Sequence, residues 1–324
     1  MVGGLAVLSF VVTLVALRLL QTKFGRLALD RPNERSLHER PVPRTGGIAV
    51  VIGALTSLAF GANALWLPIT LALALAAVSI VDDLRGVPTA ARLAAHLGAA
   101  AVFAWYVLSP MHPVALAALC VAIAWITNLY NFMDGSDGLA GGMALIGFGT
   151  YAAAAGLVGD GALLVLNLAL AAAALGFLVL NFPPAKIFLG DVGSVPLGFL
   201  AGALGIVGWR DDVWPLWFPV LVFAPFIGDA TATLLRRLGR GEKVWHAHRE
   251  HYYQRLVRMG AGHRGAALSG YALMLVCAGA ALYGRAERPI VQAAAFGAAS
   301  LVLVGVAAWI DVRWARYRRT RAVS

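Results

Sequence analysis

Five short polar stretches interrupt an otherwise apolar chain, and they hold the side chains that could do chemistry. They cover residues 31–47, 82–86, 128–139, 184–194 and 246–256. The second, third and fourth supply carboxylate or amide oxygens, the ligands that a hard cation such as Mg²⁺ prefers. The first and the fifth supply arginines and histidines, which suit phosphate groups. Together these residue types predict phosphoryl-type chemistry assisted by Mg²⁺, with Mn²⁺ as an alternative ion.

The second stretch contains an adjacent acidic pair, Asp82 and Asp83. The pair follows an apolar run and so falls at a helix end, where the two charges repel and the helix dipole disfavours them. No structural requirement explains such a pair, so we predict a metal- or phosphate-linked role for it. Lipid prenyltransferases use similar acidic pairs, and the motif alone leaves that class open.

The third stretch is rich in oxygen ligands and has no lysine or arginine. It holds Asn128, Asn131, Asp134 and Asp137 within residues 128–139. Asp-Gly sequences also suit turns, and Asn or Asp caps helices, so a purely structural interpretation stays open. Oxygen ligands at this short spacing favour a Mg²⁺-linked role.

Two glycine-rich segments precede apolar runs and could approach phosphate groups closely. In the fourth stretch, Asp191 lies in a Gly-Asp-Val-Gly-Ser sequence, and Lys186 is its only cation. A tight loop capped by Ser194 is the structural alternative. In the first stretch, Arg44 and Thr45 precede a Gly-Gly pair. We expect these side chains and the amides at the helix start to contact phosphate, while a charged linker remains the alternative.

The fifth stretch belongs to a basic loop over residues 236–264 and carries His246, His248, Arg249 and His251. Zinc ligation is one interpretation, but the spacing lacks the HExxH pattern and no cysteine lies nearby. Recognition of a nucleotide or another anion suits these donors and ring faces better. A plain surface loop is the third alternative.

One further carboxylate, Asp229, lies inside an apolar run near its end. An ionisable residue within a membrane segment is a functional candidate by default. The alternative is a salt bridge to Arg236 or to another cation nearby.

The composition of the chain indicates which kind of secondary structure positions these residues. Of 324 residues, 60% are hydrophobic and only 13% are charged, and the mean hydropathy is +0.78. These values exclude a soluble domain of this length and a disordered chain. Only two cysteines are present, which excludes a disulfide scaffold. The chain is therefore predicted to be an all-α polytopic membrane protein.

Ten or eleven apolar runs are long enough to be transmembrane helices. The first lacks a basic start and a cleavage site, so we interpret it as a retained helix and not as a signal peptide. With eleven crossings, all but three of the 26 lysines and arginines fall on one side. The positive-inside rule then places the N-terminus outside and the C-terminus in the cytoplasm.

The same topology places all five polar stretches on the cytoplasmic face. The positive charge thus orients the protein in the membrane, and no nucleic-acid partner is needed to explain it. We predict a single integral membrane domain over residues 1–324, in which residues 236–264 form a cytoplasmic substrate-recognition loop. Because the composite site lies at the membrane surface, one substrate is expected to be a lipid.

The ordered motifs resemble those of the polyprenyl-phosphate N-acetylhexosamine-1-phosphate transferase family. Four motifs carry the resemblance, and they fall at residues 32–47, 82–83, 128–139 and 188–194. The family implies an eleven-helix fold, often a homodimer, with its site on the cytoplasmic face of the bacterial inner membrane. Its members transfer a sugar 1-phosphate from a UDP-sugar to a polyprenyl phosphate, release UMP and need Mg²⁺.

The resemblance also implies roles for individual residues. Asp191 and Asn131 match the metal ligands, Asp82 and Asp83 match the pair proposed to act on the lipid phosphate, and Asp134 and Asp137 match an acidic pair beside the nucleotide. We count these four aspartates as the catalytic candidates. The predicted substrate-binding residues are Arg44, Thr45, Asn128, Lys186, His246, His248, Arg249 and His251.

The histidine loop resembles the branch that primes O-antigen synthesis, a step of lipopolysaccharide and cell-wall biogenesis. That branch uses UDP-GlcNAc or UDP-linked deoxy-sugars such as FucNAc and QuiNAc. The loop continues differently in the phospho-MurNAc-pentapeptide transferases, which remain an alternative. A transporter is the other alternative, but the unusual residues lie in loops at one surface and not along a pathway through the membrane.

Overall fold

The computed structural model describes residues 2–24, 29–30, 41–243 and 248–323. Almost all of this part of the chain is helical, which confirms the predicted all-α class. The helices are α1 (Val2–Phe24), α2 (Gly46–Leu55), α3 (Trp66–Arg85), α4 (Thr89–Leu108), α5 (Pro113–Met133), α6 (Leu139–Val158), α7 (Gly161–Asn181), α8 (Asp191–Arg210), α9 (Trp217–Val222), α10 (Ala224–Gly239), α11 (Tyr252–Leu256), α12 (Gly262–Gly284) and α13 (Pro289–Val323). Two two-residue strands, β1 (Leu29–Asp30) and β2 (Val42–Pro43), pair antiparallel.

Within the described residues, nine helices are long and apolar enough to cross a membrane. Two further predicted segments are interrupted and are not among these nine helices. The run beginning at Gly46 is α-helical only to Leu55 and continues as 3₁₀ turns over Thr56–Phe60 and Ala62–Leu65, with Gly61 left-handed between them. The run that includes Asp229 is broken at Phe223 into α9 and α10. The nine helices and these two irregular runs account for the predicted ten or eleven segments.

The core lies around α6, α7 and α8, which are the most enclosed helices of the bundle. Aromatic side chains fill it: the Tyr151 ring stacks on Trp214 at 4.8 Å between centroids, and Trp214 stacks on Phe218 at 5.1 Å. The Tyr151 hydroxyl donates to the Ala201 carbonyl at 3.0 Å, so its buried polar group is satisfied. The rigid centre therefore holds the start of α8, where Asp191 lies, in a fixed place.

The connections after α3, α5, α7 and α10 meet at one end of the bundle, where α2 also begins. We call this end the polar end. Side chains or backbone groups of residues 41–47, 82–92, 128–137, 185–194 and 248–255 contact one another there. The structure thus brings together the described parts of all five polar stretches, as the alternation of helices predicted.

Candidate active site

Asp191 is the first residue of α8, and Gly190 before it has a φ of +70°. A carboxylate at a helix N-terminus is stabilised by the helix dipole and by amides that lack helical partners. The Asp191 Oδ1 atom accepts a hydrogen bond from Asn131 Nδ2 at 3.0 Å, and the same Nδ2 lies 2.9 Å from Ser194 Oγ. The two residues predicted to bind metal are therefore direct neighbours, although they are 60 positions apart in sequence.

Asp82 lies in the last turn of α3 and is held from two directions. Its Oδ1 accepts from the Val87 amide at 2.6 Å, and its Oδ2 lies 2.9 Å from Arg92 Nη1. These contacts offset the unfavourable dipole at this helix end. Asp83 is on the exposed side of the same turn.

Arg92 joins Asp82 to Asp191, and the sequence analysis did not single it out. Its Nη1 is 2.9 Å from Asp82 and 3.6 Å from the Asp191 Oδ2 atom. A signal was available, because Arg92 lies in the first turn of α4, where the helix dipole disfavours a cation. A cation at this position is stabilised by acidic partners, which here are Asp82 and Asp191.

The side chains around Asp191 fit a hard cation in chemical type, because the carboxylates of Asp82 and Asp191 offer oxygen atoms. Asn131 also carries an amide oxygen, but it is the Nδ2 atom that faces Asp191 here. The Arg92 guanidinium contacts both carboxylates and supplies the positive charge between them. In the part of the chain that the structure describes, no group of three His, Cys, Asp or Glu side chains is arranged to hold a metal ion. That result gives no support to zinc at the described histidines.

A backbone seam joins the start of α2 to the segment before α8. The Gly46 amide donates to the Phe188 carbonyl at 2.9 Å, and the Gly47 amide donates to Leu189 at 2.8 Å. A Cβ atom on Gly47 would lie 2.3 Å from the Gly193 nitrogen. The two glycine-rich segments therefore lie in close backbone contact with each other, and only glycine permits this approach.

The seam corrects one expectation about phosphate binding. The amides of Gly46 and Gly47 were expected to face a phosphate, but both are used by carbonyls of residues 188 and 189. Arg44 is half-buried beside the seam, and the buried Thr45 hydroxyl has no hydrogen-bond partner. The side chains of Arg44 and Thr45, and not the amides that follow, remain the phosphate-binding candidates here.

Asp137 organises the loop between α5 and α6. Its Oδ2 accepts from the Ala185 amide at 2.9 Å, and its Oδ1 lies 3.5 Å from His263 Nδ1. The next residue, Gly138, donates its amide to Asn181 Oδ1 at 2.8 Å. Asp137 is therefore buried between two loops, while Asp134 is only half-buried.

Two predicted substrate-binding residues lie at the margins of this group. Asn128 donates to the Ala124 carbonyl of its own helix at 2.7 Å and also hydrogen-bonds His96. Lys186 is exposed, and its backbone carbonyl accepts from Gln21 at 3.3 Å. The Lys186 side chain is thus open to solvent at the polar end.

The histidine loop is described from His248 onward, and the predicted site residue His246 lies outside the described residues, as do residues 31–40. The rings of His248 and His251 are 4.9 Å apart. His248 Nδ1 accepts from the Glu250 amide at 3.3 Å. The pKa of His248 is lowered to about 4, mainly by burial and also by the neighbouring His251 and Arg237. His248 is therefore neutral at pH 7 and carries its proton on Nε2.

Asp229 holds this loop in place. Its two carboxylate oxygens accept from the amides of Tyr252 and Tyr253 at 2.8 and 3.0 Å, and Oδ1 lies 3.2 Å from His251 Nδ1. Arg236, one cation considered as a partner for Asp229, instead pairs with Asp311. The intramembrane carboxylate thus orients a histidine ring.

Tyr253 connects the loop to the residues around Asp191. Its hydroxyl donates to the Phe132 carbonyl at 3.2 Å, and a Cβ atom on Gly135 would lie 2.1 Å from that hydroxyl oxygen. The Tyr253 ring also stacks on His251 with centroids 5.7 Å apart. Tyr253 thereby places His251 close to the end of α5 and the loop that follows it.

Known proteins resemble this chain over most of its length. The sequence model of Glycosyl transferase family 4 matches residues 65–209, which include Asp82, Asn131 and Asp191. A probable undecaprenyl-phosphate N-acetylglucosaminyl 1-phosphate transferase of Bacillus subtilis is 30% identical over 80% of this chain and 79% of its own length. A decaprenyl-phosphate N-acetylglucosaminephosphotransferase of Mycolicibacterium smegmatis is 32% identical over 78% and 74%. A phospho-N-acetylmuramoyl-pentapeptide-transferase of Staphylococcus carnosus is 26% identical over 64% and 76%.

Proposed function

The chain belongs to glycosyl transferase family 4, and from this premise we propose that it transfers N-acetylglucosamine 1-phosphate from UDP-GlcNAc to a polyprenyl phosphate, with release of UMP. A multi-pass membrane phosphosugar transferase is the general class to which it and its relatives belong. The observation that carries the proposal is the cluster of Asp82, Arg92, Asn131 and Asp191 at the polar end, where helix termini and the glycine seam fix it.

In the proposed reaction, an oxygen of the lipid phosphate attacks the β-phosphorus of the UDP-sugar. A new P–O bond forms there, and the bond from the β-phosphorus to the bridging oxygen breaks, so that UMP leaves with the electron pair. A phosphomonoester has its second pKa near 6, so the nucleophile is mostly dianionic at pH 7. A strong general base is therefore not required, and Asp82 and Asp83 are proposed to position the lipid phosphate and the cationic groups around it.

Asp191 and Asn131 would hold Mg²⁺, which when bound neutralises charge on the diphosphate. Arg92 neutralises the carboxylates and is within reach of an incoming phosphate. Neutral His248 can donate a hydrogen bond from Nε2 to the sugar nucleotide, while Arg249 and Lys186 supply positive charge. We propose that Asp134 lies on the nucleotide side and that Asp137 fixes the loop carrying it.

We propose that the site faces the cytoplasm of a bacterial inner membrane, where UDP-sugars are found, and that the product primes a cell-envelope polysaccharide. The charge asymmetry of the loops supports this orientation. Transfer of FucNAc or QuiNAc 1-phosphate is the variant that the histidine loop suggests. The Staphylococcus carnosus relative supports a second candidate, transfer of phospho-MurNAc-pentapeptide.

The test is a UMP-release assay on purified protein with undecaprenyl phosphate and a panel of UDP-sugars that includes UDP-GlcNAc and UDP-MurNAc-pentapeptide. We expect UDP-GlcNAc to be used and Asp191→Asn to lower the rate about 100- to 1,000-fold, because a charge at the reacting phosphates is lost. Asp211→Asn is the matched control, since Asp211 pairs with Arg210 at the other end of α8.

Several results would contradict the proposal. If UDP-MurNAc-pentapeptide were the only donor used, the protein would be a phospho-MurNAc-pentapeptide transferase, which is the second candidate. If no donor led to UMP release, the protein would not catalyse this class of reaction. Full activity of Asp191→Asn, with or without EDTA, would remove the metal assignment. A donor that is chiral at the β-phosphorus separates one-step transfer, which inverts the centre, from a two-step route through an enzyme-bound intermediate, which retains it.

A further inference from the structure

The last helix is longer than a membrane crossing requires. Helix α13 has 35 residues, so it extends about 52 Å, whereas the hydrocarbon core is about 30 Å thick. The helix continues beyond the apolar part, through the basic residues that follow Asp311, to Val323. Its extension beyond the apolar part places Asp311 and Trp314 beside the short helix α11.

Asp311 is the meeting point of three side chains from two other helices. Its Oδ1 lies 2.6 Å from Arg236 Nη1 and 2.8 Å from Arg255 Nη1, and its Oδ2 accepts from the Tyr252 hydroxyl at 3.1 Å. Arg236 belongs to α10, while Tyr252 and Arg255 belong to α11. One carboxylate on α13 therefore ties together the helices before and after the histidines.

The guanidinium of Arg255 explains why this contact is important. Its side chain is only 5% exposed, and its other carboxylate neighbour, Glu250, is farther away at 3.8 Å. Its guanidinium carbon also lies over the rings of Tyr252 and Trp314, at 5.4 and 5.8 Å from their centroids. Arg255 is buried although Asp311 itself is 41% exposed. A buried cation that loses its nearest counter-ion is destabilised, so Asp311 contributes to the position of α11.

We propose that Asp311 is a positioning residue that acts on sugar-nucleotide binding through α11. Asp229 holds the start of α11 by its amides, and Asp311 holds the outer side of the same helix by its side chains. The segment that these two aspartates hold carries His251 and Tyr253, and the Tyr253 hydroxyl donates to the Phe132 carbonyl. Asp311 lies outside residues 65–209, the part matched by the family model. The effect on sugar-nucleotide binding rests on the proposed function.

The experiment compares Asp311→Asn with Asp211→Asn, which removes the charge of an aspartate that also pairs with an arginine but lies away from α11. We expect Asp311→Asn to raise the KM for UDP-GlcNAc about tenfold, with kcat and the KM for undecaprenyl phosphate within about twofold, because a hydrogen-bonded charge pair orients the loop and takes no part in bond breaking. Asp311→Glu should restore most of the affinity, and Asp211→Asn should leave all three constants unchanged.

Hydrogen–deuterium exchange of residues 248–256 tests the anchoring without the reaction. Faster exchange there in Asp311→Asn, but not in Asp211→Asn, supports the anchor even if the donor sugar differs from the one proposed. If Asp311→Asn does not fold, Tyr252→Phe removes one of the three contacts and should raise the KM about two- to threefold. Unchanged exchange together with an unchanged KM in the folded variant, or an equal loss of kcat and affinity, would overturn the proposal.

Discussion

The surroundings of Asp191 and the histidine loop both lie at the polar end, but they are held in place in different ways. The segment that carries Asp191 is fixed by backbone contacts, because α8 begins at the residue itself and the amides of Gly46 and Gly47 bond to carbonyls of the preceding segment. The histidine loop depends on side chains, because Asp229 and Asp311 hold it from neighbouring helices. Backbone contacts tolerate few substitutions, whereas side-chain anchors can change one at a time.

This difference suggests a division of tasks. In the proposed function, the surroundings of Asp191 carry the phosphoryl transfer. Apart from Gly46 and Gly47, they lie inside the part matched by the family model, residues 65–209. The loop lies outside that part and faces the donor sugar in the proposed function. Variants that disturb the seam should therefore affect catalysis and folding together, and variants that disturb the loop should affect donor affinity.

The largest effect is expected from Gly47→Ala. Its Cβ atom would lie 2.3 Å from the backbone nitrogen of Gly193, and backbone cannot yield as a flexible side chain can. We expect a loss of about 1–3 kcal/mol in stability and a fall in kcat of about a hundredfold, as when reacting groups are displaced by about 1 Å. Thermal unfolding in detergent and UMP release measure the two effects.

Gly98→Ala is the matched control for this variant. Gly98 lies within α4 and has nothing within 4 Å of an added Cβ atom. It should retain activity and gain up to about 1 kcal/mol of stability, because alanine is the better helix former. A Gly47→Ala protein as stable and active as Gly98→Ala would show that the seam is not a constraint.

A smaller effect, confined to donor affinity, is expected from Gly135→Ala. The added Cβ atom would lie 2.1 Å from the Tyr253 hydroxyl, which is the end of a side chain and can move away from the Phe132 carbonyl. We expect the KM for the UDP-sugar to rise about three- to tenfold, since one hydrogen bond at the loop is lost, while kcat changes little.

Two variants sharpen that measurement. Tyr253→Phe removes the same hydrogen bond without adding volume, so its KM should approach that of Gly135→Ala. Gly161→Ala, at the start of α7 and with nothing within 4 Å, should behave as the unmodified protein. If kcat of Gly135→Ala fell as far as kcat of Gly47→Ala, this would contradict the separate roles of the histidine loop and the surroundings of Asp191.

The smallest effect concerns the dependence of stability on pH. The pKa of His248 is about 4 in the folded protein, below its ordinary value of 6.5, so the unfolded state binds the proton more readily. The destabilising effect of this histidine is absent above pH 6.5, grows as the pH falls from 6.5 towards 4, and is complete below 4. His248→Gln should therefore lose less thermal stability between pH 7 and pH 5 than the unmodified protein does.

The unmodified protein is the comparison for this variant. Equal pH dependence of His248→Gln and the unmodified protein would show that burial does not disfavour the charged form of His248.

Much of the architecture could be predicted from the sequence, because hydrophobic length and charge asymmetry act locally along the chain. The apolar runs, the common face of the polar stretches and the Asp191–Asn131 pair all follow from such signals or from the family motifs. The breaks were not predicted: α2 gives way to 3₁₀ turns at Thr56, and α9 ends before Phe223, inside stretches that hydrophobic length alone treats as single runs.

The residues that sequence analysis missed depend on contacts between distant segments. Arg92 was not singled out, although it contacts two aspartates from different helices. Asp311 was not singled out either, and its partners lie 56 or more positions away. Neither the spacing nor the composition of a single sequence specifies which of 16 acidic side chains a given arginine will meet.

The glycine seam also has a consequence for the biogenesis of the protein. It pairs residues 46 and 47 with residues 188 and 189, and a nascent chain leaves the ribosome with its N-terminal part first. The amides at the start of α2 must therefore remain without these partners until the segment after α7 has been synthesised. The surroundings of Asp191 can be completed only after most of the preceding helices have entered the membrane, so a chain arrested before residue 188 cannot hold an assembled site.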